Sequence, residues 1–317
     1  MLNVKIKSKQ EVAEDICAFE LVDSMGKTLP AFTAGSHVDV HIPGNFIRQY
    51  SLCNSPAETD RYVIGVLKDP ASRGGSKAMH LLVEGGTLTI SEPRNHFPLE
   101  ANANHSILLA GGVGITPILS MAETLLANGS SFELHYCVRS LEKLAFQSRL
   151  FDEQMRSKVF IHLDAKPDSR LEFAELFLNA SGSQPHVYVC GPGGFIEAVL
   201  SAGRQAEYPE ARLHREYFGT VAPTSSEEDL PFDVQVASTG QLVTVGATES
   251  VVSALARHGV EIPVSCEQGV CGTCVTRLKG GVPHHRDMYL TDEERLANDQ
   301  FTPCCSRAIS PLLVLDI

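Results

Sequence analysis

The run Cys266-Glu267-Gln268-Gly269-Val270-Cys271-Gly272-Thr273-Cys274, answered late in the chain by Cys304-Cys305, constrains this sequence more than any other feature. A C-x4-C-x2-C spacing with a distant fourth cysteine is a ligand pattern for a [2Fe–2S] cluster. Two irons and two sulfides need four converging thiolates. One tight loop can supply three, and the fourth must return from elsewhere. Gly269 and Gly272 fall where such a loop has to curl, because glycine accepts positive φ and lets backbone N–H groups approach sulfur. Four cysteines also suit structural zinc, but zinc ribbons usually pair two short knuckles. Here the first gap is four residues and no second knuckle follows, which favours iron. Cys304 and Cys305 are adjacent, and the loop itself does not choose between them.

The 317 residues suffice for two or three domains, and 43% hydrophobic with 20% charged residues describes a chain with ordinary cores. A formal charge of −12 and the lack of a basic stripe argue against a nucleic-acid partner. The same charge suits docking to a basic protein face. The longest apolar stretch, Ile107 to Ile115, holds three glycines and is too short to span a bilayer, so no membrane partner is expected. Met1 to Glu11 alternates apolar and charged residues without an h-region, so no signal peptide is expected. Cys17, Cys53, Cys137 and Cys190 lie scattered in apolar surroundings. That usage points to a reducing cytoplasm rather than a disulfide framework.

Three regions follow. Residues 1–102 read as short strands, among them Val4 to Lys7, His37 to Ile42, Arg48 to Leu52, Tyr62 to Leu67 and Thr87 to Ile90, with one helix near Lys77 to Val83. Their spacing predicts a small antiparallel β-barrel. Residues 103–221 alternate strand and helix, with strands at Ser106 to Ala110, Phe132 to Cys137, Val159 to Leu163, His186 to Cys190 and Arg212 to Glu216. This predicts a doubly wound α/β parallel sheet. Residues 222–229 read as a polar linker, and 230–317 as a third domain around the cysteine loop. There a hairpin is expected at Phe232 to Val245, a helix capped by Ser250, and another with capping-box spacing at Thr291 to Glu294.

Two further motifs carry chemistry. Arg48-Gln49-Tyr50-Ser51 offers a cationic fork for phosphate, a ring to lie against an isoalloxazine, and a hydroxyl able to reach a flavin N5. Arg73-Gly74-Gly75-Ser76 then supplies a nest of backbone N–H groups suited to phosphate. Gly111-Gly112-Val113-Gly114-Ile115-Thr116-Pro117 joins a buried strand to a helix, and Val189-Cys190-Gly191-Pro192-Gly193 ends a later strand of the same sheet. Ligands of open α/β sheets bind at such strand ends. Thr116, with Ser51, is a candidate donor near N5, and Cys190 a candidate contact for the nicotinamide. His96, His284 and His285 lack an acid or cysteine at ligand spacing and are expected at the surface or hydrogen-bonded. Glu267 and Asp292-Glu293-Glu294 could form an acidic docking patch, although a helix cap explains the second run equally well.

The ordered set RxYS, GGxGxTP, CGPxG and a C-terminal cysteine loop covers the whole chain and resembles the phthalate dioxygenase reductase family. Within it the likeness is greatest to reductases serving an O-demethylase, carried by His135-Tyr136-Cys137, Leu213 to Phe218, Phe301 to Arg307 and Leu312 to Asp316. The resemblance implies a flavin barrel, a nucleotide domain and an α+β plant-type ferredoxin domain of β-grasp form. It implies FMN held by Arg48, Tyr50, Ser51, Gly75 and Ser76, with Phe218 stacked on the flavin. It implies NADH at Gly111, Gly112, Gly114, Thr116, Arg139, Cys190, Gly191 and Pro192, with Arg139 keeping NADPH open as the lesser alternative. It implies Cys266, Cys271, Cys274 and Cys304 as cluster ligands. The implied function is a reductase component of a two-component Rieske-type aromatic oxygenase or O-demethylase. Alternatives are a reductase for a carnitine- or aromatic-sulfonate-type oxygenase, or a non-catalytic redox sensor, for which the chain shows no output module.

Overall fold

A computed structural model describes residues 1–44, 46–72, 74–180, 185–218, 229–264 and 266–317. The chain divides into two compact units, 1–218 and 219–317.

The first unit opens with β1 (Leu2–Ala13), β2 (Ile16–Asp23), β3 (Ser36–Ile42), β4 (Phe46–Ser51), β5 (Tyr62–Leu67), α1 (Gly75–Leu81), β6 (Thr87–Ile90) and β7 (Arg94–Asn95). The sheet runs β4-β3-β6-β1-β2-β5, with β7 on β3, and every pairing is antiparallel. A bridge between Leu52 and Ile64 brings its two ends together, so the sheet closes into a barrel. Alternation decides the faces: Val4, Ile6, Phe19, Leu21, Val38, Val40, Ile64 and Val66 point into one core. The strand β2 is an addition to the sequence reading, and α1 starts at Gly75 rather than Lys77.

The same unit continues with β8 (Ser106–Gly111), α2 (Ile115–Ala127), β9 (Phe132–Val138), α3 (Gln147–Leu150), β10 (Val159–Leu163), α4 (Phe173–Ala180), β11 (His186–Gly191), α5 (Gly193–Gln205) and β12 (Leu213–Tyr217). These strands form a parallel sheet in the order β10-β9-β8-β11-β12. Order reverses between β8 and β11, the position at which such sheets bind ligands. Every residue of β8 is buried, as expected for a strand covered on both faces. Between β9 and β10 the helical segments are short: α3 and 3-10 turns fill the gap. One apolar core contains residues of both sheets: Ile16, Ala34, Cys53 and Phe97 from the barrel region join Ile118, Met121, Tyr136 and Phe146.

The second unit holds β13 (Phe232–Val236), β14 (Leu242–Val245), α6 (Val251–Arg257), β15 (Thr276–Gly280), β16 (Pro283–His284), α7 (Asp292–Ala297), β17 (Gln300–Phe301), β18 (Arg307–Ala308) and β19 (Leu312–Leu315). Its mixed sheet runs β14-β13-β19-β15-β17, with β13 and β19 parallel. Ser250 caps α6 through the Ser253 N–H, and Thr291 with Glu294 closes a full capping box on α7. Of the expected linker only Asp229 lies among the described residues, and it pairs with Arg286 and Arg307. All nine cysteines are unpaired. Among the described residues no helix is long and apolar enough to cross a membrane.

Candidate functional site

In the second unit the four expected ligands come together. Cys266 touches Cys271, Cys274 touches Cys304, and Cys266 also touches Cys304. These contacts pull the Cys266 thiol well below the ordinary range and push Cys271 and Cys304 above it. Cys271 and Cys274 are buried, 5% and 3% exposed. Among the described residues no three His, Cys, Asp or Glu side chains surround a single ion. The thiols form one connected run, Cys271–Cys266–Cys304–Cys274, so all four converge as a [2Fe–2S] cluster requires.

The loop geometry explains the glycines. Glu267, Gly269 and Gly272 have φ of 53°, 71° and 68°. A Cβ on Gly269 would lie 2.4 Å from the Cys305 sulfur, and one on Gly272 would lie 2.2 Å from the Tyr289 ring. Cys304 meets Cys266 and Cys274, while Cys305 meets Cys304, Thr302 and Ser306. The residues thus fit a [2Fe–2S] cluster.

Of the three histidines, His96 is exposed and stacks on His37, and His284 is exposed beside Arg286. His285 departs from expectation. Its ring is largely buried, 3.5 Å from the fully buried Asp287 carboxylate.

In the first unit Arg48 and Tyr50 pair with Val40 and Val38 on β3, and so share the face of those core residues. Ser51 pairs with His37 on the opposite face, as alternation requires. The Arg48 guanidinium lies against the start of α1: a Cβ on Gly75 would come within 2.8 Å of its Nε. It also lies over the Phe46 ring. The Ser76 hydroxyl accepts from the Asp69 N–H at 3.3 Å, and Gly74 has φ of 112°. A cationic fork beside two glycines that have no room for a side chain, with Phe46 against them, is a combination that fits a phosphate. Arg73 lies outside the described residues.

The nucleotide loops meet glycine to glycine. Ala110 of β8 pairs with Cys190 of β11, so Gly111 to Gly114 and Gly191 to Pro192 leave adjacent strand ends. A Cβ on Gly114 would stand 2.2 Å from the Cys190 carbonyl oxygen, and one on Gly191 would stand 2.9 Å from Gly111 Cα. Gly112 has φ of 54° and open space above it. Gly114 and Gly191 thus let the two loops close on each other, and Gly112 leaves open backbone above them. Two expected contacts sit differently. The Cys190 thiol is wholly buried beneath the loops, which lifts its pKa well above the ordinary value. The Thr116 hydroxyl donates to the Val113 carbonyl at 3.0 Å, and its methyl packs toward Gly65 of the barrel. Both side chains hold the loops in place from below. Arg139 is exposed just past β9, and Phe218 is 40% exposed just past β12.

Sequence reasoning missed Glu216. It pairs with Cys190 across β11 and β12, and its carboxylate accepts from Ser51 Oγ at 3.1 Å. Loss of water lifts its pKa to about 8, with the Ser51 hydroxyl pulling the other way. Only packing between the barrel and the parallel sheet brings this acid to Ser51, so no local motif could have shown it.

A flavin-type barrel, a parallel sheet with glycine loops at its switch point, and a cysteine loop of [2Fe–2S] spacing define a multidomain oxidoreductase. Family models agree: residues 234–308 match a 2Fe-2S iron-sulfur cluster binding domain, and residues 108–201 match an oxidoreductase NAD-binding domain. The chain is 50% identical to a vanillate O-demethylase oxidoreductase of Pseudomonas putida, covering all of both chains. It matches a solved phthalate dioxygenase reductase at 41% identity and TM-score 0.76, over 100% of this chain and 98% of that one. It also matches an intact type IV self-sufficient cytochrome P450 monooxygenase at 35% identity and TM-score 0.87, spanning all of this chain but 41% of that one. The chain belongs to the phthalate dioxygenase reductase family of FMN-, NADH- and [2Fe–2S]-dependent oxidoreductases, among which it is similar to the vanillate O-demethylase oxidoreductases.

Proposed function

We propose that this chain is the reductase component of a two-component Rieske-type oxygenase or O-demethylase acting on an aromatic substrate. It takes hydride from NADH to FMN on the barrel and delivers electrons singly through the cluster. The observation that carries the reading is the Ser51–Glu216 bond, which joins the flavin tetrad to the nucleotide sheet. The names of its relatives, an O-demethylase and a dioxygenase reductase, support an oxygenase partner.

Each residue has a task in this reading. Arg48, Gly75 and Ser76 hold the FMN phosphate, and Tyr50 and Phe218 flank its ring. Gly111, Gly112, Gly114, Gly191 and Pro192 receive the nucleotide on bare backbone, Arg139 meets its far end, and Thr116 and Cys190 support those loops. Cys266, Cys271, Cys274 and Cys304 ligate the cluster. Bound FMN supplies the conversion of a two-electron donor to one-electron delivery. The chain itself holds reactants in line and excludes water. Glu216, whose pKa burial raises to about 8, accepts from the Ser51 hydroxyl and so sets its direction, where the flavin ring edge would lie. Cys17, Cys53, Cys137 and Cys190, free of disulfides, support a cytoplasmic setting.

The test is anaerobic mixing of the NADH-treated protein with a purified Rieske oxygenase. The oxygenase cluster should become reduced, and cytochrome c should be reduced over many NADH turnovers. A single reduction event without turnover would support a sensor and overturn the reading.

A further inference from the structure

The joint between the barrel and the parallel sheet is mostly apolar. Ile16, Ala34, Cys53 and Phe97 pack on Ile118 and Met121 of α2 and on Phe146. Apolar burial is non-directional and tolerates sliding. A polar device crosses this joint from α3. The Arg149 guanidinium donates to the Cys53 carbonyl, which lies two residues beyond Ser51. Its Nε and Nη2 simultaneously engage the Glu123 carboxylate on α2 at 2.8 and 2.6 Å. Glu123 sits about two helical turns beyond Thr116 on the same helix.

Three features set this fork in place. Its guanidinium lies over the Phe146 ring at 5.6 Å. Phe146 adopts a left-handed backbone, φ 57°, and sends its ring toward Gly65, on which the Thr116 methyl also bears. Ser120 Oγ adds a parallel tie from α2 to the Asn54 carbonyl at 2.9 Å. Both charged side chains are largely withdrawn from water, 26% and 20% exposed. A planar fork has fixed donor directions, so it sets a register that packing alone does not.

We propose that Arg149 is a positioning residue for hydride transfer: by clamping Cys53 to Glu123 it fixes the gap between the Ser51 hydroxyl and the Gly111–Gly114 loop. The inference rests on the reading that NADH reduces FMN between these elements. Arg149 touches neither reactant. It acts through two rigid elements, the chain just past β4 and the helix α2. An ångström of misplacement can cost up to about a hundredfold in rate.

The test uses the full-length, flavin-loaded chain with R149A, R149K and wild type. Rapid anaerobic mixing gives the limiting rate of flavin bleaching by NADH and the NADH dissociation constant. The long-wavelength nicotinamide–flavin charge-transfer absorbance reports stacking directly. R149A should lose roughly tenfold or more in limiting rate, with a weakened charge-transfer band and NADH affinity changed by less than about threefold. R149K, which keeps the charge but cannot span both acceptors, should fall between. Should R149A fail to retain flavin, R149K carries the comparison. A wild-type rate and band in either folded variant would overturn the proposal. So would a rate loss matched by an equal loss of NADH affinity. Failure of NADH to bleach wild-type flavin would instead overturn the functional reading itself.

Discussion

Ser51 Oγ donates to Glu216 Oε2 at 3.1 Å across 165 residues of chain, joining the last residue of a barrel strand to the penultimate residue of a parallel one. The carboxyl is partly buried, and its pKa rises to about 8 because water is lost and no cation compensates. The folded state therefore holds this proton more tightly than the unfolded chain does. The resulting stability is full below about pH 4.5 and is lost as pH rises through about 8. Glu216→Gln removes the titrating group. Thermal midpoints of the flavin-free chain from about pH 5 to 9 should fall in wild type relative to the variant. Parallel curves would show that Glu216 is ionised throughout.

Gly114 has no room for a side chain, since a Cβ would stand 2.2 Å from the Cys190 carbonyl oxygen, itself backbone that cannot swing away. Gly114→Ala should destabilise the first unit by about 1–3 kcal/mol and raise the KM for NADH. Gly194 of α5 meets nothing within 4 Å. Gly194→Ala should therefore fold at least as well as wild type, helped by helix propensity of up to about 1 kcal/mol. Equal melting of the two variants would contradict the packing described.

Cys304 and Cys305 should separate cleanly. Cys304 meets Cys266 and Cys274, whereas Cys305 meets Cys304, Thr302 and Ser306. Cys304→Ser is expected to abolish or strongly alter the reduced-cluster EPR signal, and Cys305→Ser to keep it. The reverse pattern would reassign the fourth ligand.

Glu267 is exposed on the cluster loop beside Cys266, with φ of 53°. Glu267→Lys keeps a side chain of similar reach and reverses its charge. Reduction of cytochrome c or oxygenase should slow several-fold at low salt, with ferricyanide reduction nearly unchanged. Equal effects on all three acceptors would remove the docking role. The other acidic run is less available for docking, because Glu294 closes the cap on α7 and the Asp292 side chain lies outside the described residues.

Local patterns were legible where chemistry is local. Thr87–Ile90 alternates and Tyr62–Leu67 is a continuous apolar run, and both form the strands expected of them. The Ser250 and Thr291 caps are present because a side-chain oxygen three residues from an orphan N–H needs nothing else. Strand β2 was harder to read, because Cys17 and Ala18 blur its period and Glu20 survives there through pairs with Lys7 and Arg61. The cysteine loop was readable because spacing alone dictates its chemistry. Glu216 and Arg149 were not, because their partners lie 165 and 96 residues away and are brought to them only by packing between two sheets. The burial of Cys190 was hidden for the same reason. A motif locates a strand end, but only the neighbouring loop decides whether a thiol there is covered.

The most direct test of the whole account is the visible spectrum of the purified chain, taken anaerobically before and after NADH. Flavin and [2Fe–2S] bands should both be present, and both should bleach on adding the nucleotide. A chain that carries zinc in place of iron, or whose flavin bands ignore NADH, would contradict it.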